Sequence, residues 1–227
     1  MPAGSRTSPS ASPTLVAERA FWLAGLPCVA GVDEVGRGAL AGPLLAAAVI
    51  LPACAGPRLR RLRFVLSGVR DSKLLSPERR TALVAPIRDV AIAVAIGLVE
   101  ADELDAIGLG PANRLAMERA VLALAVTPDV LLLDACTIDL ALPQVGLIDA
   151  DALSLSVAAA SIIAKVARDR LMTDADAADS RYGFALHKGY GSPLHQARLA
   201  EHGPSPIHRR CFRPVARLAL AAQPDHQ

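Results

Sequence analysis

Apolar runs and the polar breaks between them divide the chain into a group of strands followed by alternating helices. Residues 28–35, 44–51 and 90–99 are runs of Val, Ala, Leu and Ile bounded by Gly, Pro or charge, the pattern of buried strands. Residues 129–134, Asp-Val-Leu-Leu-Leu-Asp, read as a further strand because the apolar centre is continuous and too short for a helix. Helical patterns cover 15–26, 101–107, 111–125, 192–202 and 215–222, and a long apolar helix is predicted over 151–172. Ser76 before Pro77 marks another helix start, with Ser as cap and Pro in the first turn. Residues 52–70 are predicted to be a loop carrying Arg58, Arg60, Arg61, Arg63 and Arg70. Strands that come first as a group predict a mixed sheet covered by helices rather than a purely parallel one.

A length of 227 residues suits one domain with extensions. Residues 1–14, with a Ser-, Pro- and Ala-rich beginning, are expected to be a disordered extension, 15–222 the folded α/β domain with C-terminal helices, and 223–227 a tail. With 52% hydrophobic but only 3% aromatic residues, the core must be built from aliphatic side chains. A net charge of +2 decides nothing, but the basic residues are nearly all Arg; the lysines are Lys73, Lys165 and Lys188, each inside a motif described below. Cys28, Cys54, Cys136 and Cys211 form no C-x-x-C pair, which argues against a zinc ribbon or redox dithiol and for reduced thiols in the cytoplasm. The first residues lack an apolar signal core, and the run 39–49 is interrupted by Gly42 and Pro43, so no membrane association is expected.

The densest chemistry is Gly31-Val-Asp-Glu-Val-Gly-Arg-Gly, residues 31–38. Adjacent strand residues point to opposite faces, so Asp33 and Glu34 share one site only if a bulge re-aims one or one contributes its carbonyl. The alternative is a strand-end turn with solvated acids. Asp134 ends its own strand, the position where ligands gather in α/β sheets, or else it caps a turn. Ser161, Lys165 and Asp169 lie at i, i+4 and i+8 on one face of the long helix, as a cleft-facing stripe or an ordinary Lys–Asp pair. Together the acids offer only oxygen ligands, which suits Mg²⁺ or Mn²⁺ and argues against zinc. Two such ions could hold the water and the leaving oxygen of a phosphodiester. Ser72 and Lys73, in Arg70-Asp-Ser-Lys, offer a hydroxyl and an ammonium to phosphate. Tyr190, set between Gly189 and Gly191, could lay its ring against a sugar and meet a 2′-hydroxyl. The histidines at 187, 195, 202 and 208 match no zinc-ligand spacing and read as surface or hydrogen-bonding groups.

These segments resemble bacterial ribonuclease HII. The resemblance is carried by Gly-Val-Asp-Glu-Val-Gly-Arg-Gly at 31–38, Asp-Ser-Lys at 71–73, Ala-Met-Glu-Arg-Ala-Val at 116–121 and Leu-Leu-Asp at 132–134. It continues through the helix at 159–169, His-Lys-Gly-Tyr-Gly at 187–191 and His-Arg-Arg-Cys-Phe at 208–212, and so spans roughly residues 28–217. It implies a ribonuclease H-like α/β fold, a mixed five-stranded sheet flanked by helices with a C-terminal helical extension. It implies a metal-binding acidic site of Asp33, Glu34, Asp134 and Asp169. Gly36, Arg37 and Gly38, through their backbone, and Tyr190 would recognise the ribonucleotide 2′-hydroxyl, with Ser72 and Lys73 near phosphate. The implied reaction is hydrolysis of RNA–DNA hybrids, and of duplex DNA 5′ of embedded ribonucleotides, leaving 5′-phosphate and 3′-hydroxyl ends, with Mn²⁺ or Mg²⁺ as cofactor. A monomer acting in ribonucleotide excision repair is expected. Two positions depart from the pattern: Ala135 stands where the family usually has Gly, and Asp149-Ala-Asp151 where it often has Lys-Gly-Asp.

Rival readings fare worse. The segment 31–38 nearly spells a phosphate-binding P-loop, but it lacks the Lys and Ser/Thr and places two acids where phosphates would sit. The glycines at 36, 38 and 42 have the wrong spacing for a dinucleotide fingerprint. A non-catalytic nucleic-acid-binding module would use the arginines of 58–70, but the acids would repel a phosphate backbone. Another nuclease of the same fold, such as a resolvase, would cut without requiring a 2′-hydroxyl.

Overall fold

The computed structural model describes residues 12–134 and 136–221; the expectations for residues 1–11, Ala135 and 222–227 fall outside that range. A helix α1 (Val16–Leu23) leads into strands β1 (Val29–Val35) and β2 (Leu44–Ile50). Helices α2 (Gly56–Val65) and α3 (Pro77–Val90) follow, then strand β3 (Ala93–Val99) and helices α4 (Ala101–Ile107) and α5 (Leu109–Leu122). Strands β4 (Val130–Asp134) and β5 (Gln144–Leu147) complete the sheet. The chain ends in α6 (Ala150–Leu153), α7 (Leu155–Ala178), α8 (Phe184–His187), α9 (Pro193–His202) and α10 (Arg213–Ala221).

The sheet has five strands in the order β3-β2-β1-β4-β5. β1 and β3 both run antiparallel to β2, while β4 is parallel to β1 and to β5. This is the mixed five-stranded sheet flanked by helices that the sequence implied. Alternation along the strands divides the core in two. Ala30, Val32, Leu131 and Leu133 face α5 through Ala112, Ala116, Met117 and Ala120. Ala47 and Val49 face α7 through Ala158, Ala159, Ile162 and Ile163. The scarcity of aromatics lets α7 come very close. A Cβ on Gly31 would stand 2.3 Å from the backbone of Ser156 and Val157, so only glycine admits that contact.

Three details differ from the sequence reading. Residues 52–70 are not one loop, because α2 forms within them: Leu62 and Leu66 are buried one turn apart while the arginines mostly point outward. Pro52 and Pro57 disguise this helix, although Pro57 occupies the first turn, where its missing N–H costs nothing. The long helix does not run unbroken from 151. Ser154 adopts extended geometry and caps α7 by accepting from Val157 N–H. The fully buried Glu18 Oε1 accepts from Ser154 Oγ at 2.7 Å, Ser156 Oγ at 2.8 Å and Ser156 N–H at 2.9 Å. That contact draws α1 onto the start of α7, and pairing begins at Thr14, which bridges to Ser154. The short edge strand β5 carries no clear alternation and escaped the sequence reading.

Candidate active site

β1 keeps regular register with β2 through Asp33↔Ala47 and Glu34↔Ala46, so no bulge re-aims either acid. The two carboxylates leave the strand on opposite faces. Asp33 points to the α7 side, toward Ser161, whose hydroxyl favours the charged carboxylate. Glu34 points to the α5 side, beside Arg37, whose Nη1 is 3.7 Å away. The parallel register Val32↔Leu133, continued by one residue, brings Asp134 alongside Asp33 at the strand ends. Asp134 also lines a cleft with Glu34, Arg37, Asn113 and Arg114. The acids therefore meet around the carboxyl ends of β1 and β4 rather than on one sheet face.

A further carboxylate joins them from α6. Asp134 Oδ1 accepts from Ala150 N–H at 3.1 Å, which holds the first turn of α6 against β4. Asp151, on that turn, lies 3.7 Å from Lys73 Nζ, and Asp71 lies 4.0 Å from the same ammonium. Asp33 is only 7% exposed, and its carboxyl is pushed up to about 7 by burial first and by Glu34 second. Glu34 is raised for the same leading reason, with Arg37 opposing and Asp134 adding to it. Asp151 is raised by burial and then by Asp71. Burial opposes the charge on Lys73, yet Asp71, Asp151, Asp33 and Asp134 together raise its pKa. Asp33 feels Glu34 and Asp151, Glu34 feels Asp134, and Asp151 feels Asp71 and Asp134, so a chain of neighbouring charges links the acids.

Asp169 lies elsewhere. It is held by Lys165 Nζ at 2.7 Å and approached by Arg80 Nη2 at 3.6 Å, in a cleft lined also by His187, Lys188 and Tyr190. Of the i, i+4, i+8 stripe on α7, Ser161 faces Asp33 and Ser72, the latter at 2.9 Å, while Lys165 and Asp169 form the ordinary ion pair. The geometry therefore replaces Asp169 with Asp151 in the acidic group. The signal was present in the sequence, since Asp151 ends the segment aligned with Lys-Gly-Asp, but Asp169 on the long helix drew the assignment. Asp71 gave no signal beyond its place beside Ser72 and Lys73. Asp149, the departure at this rim, is exposed and takes a left-handed φ of 56°.

Among the described residues no group of three or more His, Cys, Asp or Glu side chains is arranged to hold a metal ion in this conformation. The chemistry of the donors still fits a hard dication. They are carboxylates only, and three of them, Asp33, Glu34 and Asp151, are held toward the neutral form by burial, a state that a bound cation reverses.

Beside the acids stands the Gly36-Arg37-Gly38 turn. Gly36 has φ 93°, and a Cβ there would meet Arg168 Nε at 2.2 Å. The buried Arg209 donates from Nη1 to the carbonyls of Gly36 at 2.7 Å and Arg37 at 3.1 Å. Because a trans peptide sets C=O and the next N–H on opposite sides, the amides of Arg37 and Gly38 point away from Arg209. Tyr190 is docked to this turn: it bridges to Ala39, and Gly189 O accepts from Leu40 N–H at 2.8 Å. Lys165 Nζ and the Arg168 guanidinium lie 5.6 and 5.3 Å from its ring centroid. The sequence-distant Gly-Arg-Gly and Gly-Tyr-Gly segments thus form one wall next to the acidic group, with Ser72 and Lys73 at its other end.

The sequence model for ribonuclease HII matches residues 30–215 of this chain. The chain belongs to the ribonuclease HII family. It is 47% identical to ribonuclease HII of Chloroflexus aurantiacus over 212 residues, covering 93% of this chain and 98% of that protein. Its fold is similar to that of ribonuclease H2 from Pyrococcus horikoshii, with a TM-score of 0.73 at 27% identity, covering 85% of this chain and 97% of the other. It also shares its fold with a Bst ribonuclease HIII solved in complex with Mn²⁺, with a TM-score of 0.67 at 20% identity, covering 86% and 70% of the two chains. As a ribonuclease HII, the chain is a metal-dependent endoribonuclease acting on RNA–DNA hybrids. Among the described residues no helix is long and apolar enough to cross a membrane.

Proposed function

We propose that this ribonuclease HII cuts on the 5′ side of ribonucleotides, including single ones embedded in duplex DNA, and leaves 5′-phosphate and 3′-hydroxyl ends. The observation that carries this reading is the grouping of Asp33, Glu34, Asp134 and Asp151 against the Gly-Arg-Gly and Gly-Tyr-Gly wall. Asp33, Glu34, Asp134 and Asp151 would hold Mn²⁺ or Mg²⁺, and Asp169 serves instead to fix Lys165. When bound, two such ions supply an acidified water and neutralise charge on the phosphate. The amides of Arg37 and Gly38 are free to donate to the ribose or its phosphate, and the Tyr190 ring is set to stack on the sugar while its hydroxyl reads the 2′-hydroxyl. Lys73 offers an ammonium to the substrate phosphate, while Ser72, buried with its hydroxyl 2.9 Å from Ser161 Oγ, seats that segment against α7. The free thiols of Cys28, Cys54, Cys136 and Cys211 suit a reducing cytoplasm.

The test is a duplex DNA with one ribonucleotide, incubated with Mg²⁺, Mn²⁺ or EDTA. Cleavage immediately 5′ of the ribonucleotide, lost in EDTA and restored by either ion, is expected. Cutting of the all-DNA duplex would point to a nuclease that does not read the 2′-hydroxyl. Chelator-resistant cleavage would remove the metal-based chemistry.

A further inference from the structure

Beneath the Tyr190 turn lies a buried group of histidines that the chemistry above does not use. His195 and His208 are 0% and 1% exposed, and their Nε2 atoms are 3.0 Å apart. His195 Nδ1 is 2.9 Å from Tyr190 O, and His208 Nδ1 is 2.7 Å from Ser205 Oγ and 3.0 Å from Ser205 N. The protons of both rings follow from these partners. The Ser205 amide can only donate, so His208 Nδ1 is the acceptor and its proton sits on Nε2. His208 Nε2–H then donates to His195 Nε2, which leaves the His195 proton on Nδ1, donating to Tyr190 O. Burial, the leading cause, lowers both rings and brings His208 to about 4, so both are neutral at physiological pH. His187, stacked on His195 at 4.2 Å between centroids, accepts from Gly189 N–H on Nδ1 and gives its Nε2 proton to Tyr182 O. His208 also bridges to Ala41, next to the segment on which Gly189 docks.

We infer that Ser205, His208 and His195 form a one-directional hydrogen-bond relay whose purpose is to fix the Tyr190 carbonyl, making His195 and His208 positioning residues for the sugar-facing ring. The inference rests on the reading of Tyr190 as the ribose contact. A neutral relay of fixed tautomers holds one carbonyl in one direction, whereas an apolar filler would hold volume only. Tyr190 O accepts from Ser192 N–H as well, so the relay also fixes the start of α9 relative to the turn.

Two substitutions separate the relay from simple packing. His195→Asn places an amide near the Nδ1 position and keeps the link to Tyr190. His195→Gln places it near Nε2 and keeps only the link to His208. Hydrogen exchange at the Tyr190 and Leu40 amides should accelerate about tenfold in His195→Gln, the effect of losing one hydrogen bond, and stay near wild type in His195→Asn. Cleavage of the ribonucleotide duplex should fall in parallel, and Tyr190→Phe should cost less in the His195→Gln background than in the wild type. Unchanged exchange in His195→Gln, or equal acceleration in both variants, overturns the relay. Accelerated exchange confined to His195→Gln with unchanged cleavage upholds the relay and removes Tyr190 from ribose recognition. Should the ring substitutions unfold the protein, Ser205→Ala removes one donor and leaves both rings. A rise of about threefold in the same exchange rates then supports the relay, and no change overturns it.

Discussion

Asp33 is held in a place that is costly for its own charge, and removing that charge should stabilise the protein. With burial and Glu34 pushing its carboxyl from 3.8 to about 7, the folded state binds more protons than the unfolded state across that window. The Asp33 contribution to stability is therefore greatest below about pH 4, falls as pH rises toward 7, and stays at the lower level above. The interval corresponds to about 4 kcal/mol of stability at about 1.4 kcal/mol per pH unit. Asp33→Asn keeps the size of the side chain and a partner for Ser161 while abolishing this term. Urea unfolding in EDTA between pH 4.5 and 8 should show the variant gaining on the wild type by about 3 kcal/mol over that range. Glu34 titrates in the same direction and is coupled to Asp33, so the difference reports Asp33 together with its effect on Glu34. Saturating Mg²⁺ or Mn²⁺ should narrow the gap at pH 8, because a cation bound to the folded state stabilises the ionised carboxylate. A gap that is constant from pH 4.5 to 8 would refute the claim that Asp33 is buried without compensating charge. The same variant should lose most cleavage, so stability and activity move in opposite directions.

Asp151→Asn should reduce cleavage at least about 100-fold, as expected for a lost metal-site carboxylate. Asp169→Asn should cost far less, since it loses only the pairing of Lys165 and Arg80; equal losses in single-turnover assays would return Asp169 to the acidic group. Tyr190→Phe should lower kcat/KM at an embedded ribonucleotide by about tenfold, the value of one hydrogen bond; unchanged kinetics would contradict the ribose contact. Glu18→Ala should destabilise the fold by about 3 kcal/mol, because Ser154 and Ser156 lose a shared buried acceptor. A shift below about 0.5 kcal/mol in urea unfolding would show that α1 is not needed to seat the start of α7.

Much of the molecule was legible in the residues. β1, β2, β3 and β4 announce themselves because buried strands need continuous aliphatic runs, and the chain's lack of aromatics leaves those runs unambiguous. Asp33, Glu34 and Asp134 are visible as acids at the ends of such runs, where burial makes charge conspicuous. What sequence periodicity could not convey was which distant groups share space. Asp151 reaches the acids because the Asp134 carboxylate caps the first turn of α6, and Asp169 is excluded because Lys165 and Arg80 lie closer to it. Nor could alternation along β1 show that two opposite-facing acids meet around the strand ends, since that depends on the parallel pairing of β4. Glu18 gave no local signal, and the histidines, readable only as surface or hydrogen-bonding groups, did not show that His195 and His208 are buried against each other, because a buried hydrogen bond between remote residues is a property of packing alone. Local pattern thus determined the elements and their inward faces, while tertiary contact decided which charges became neighbours, because electrostatic partnership depends on distance in space and not along the chain.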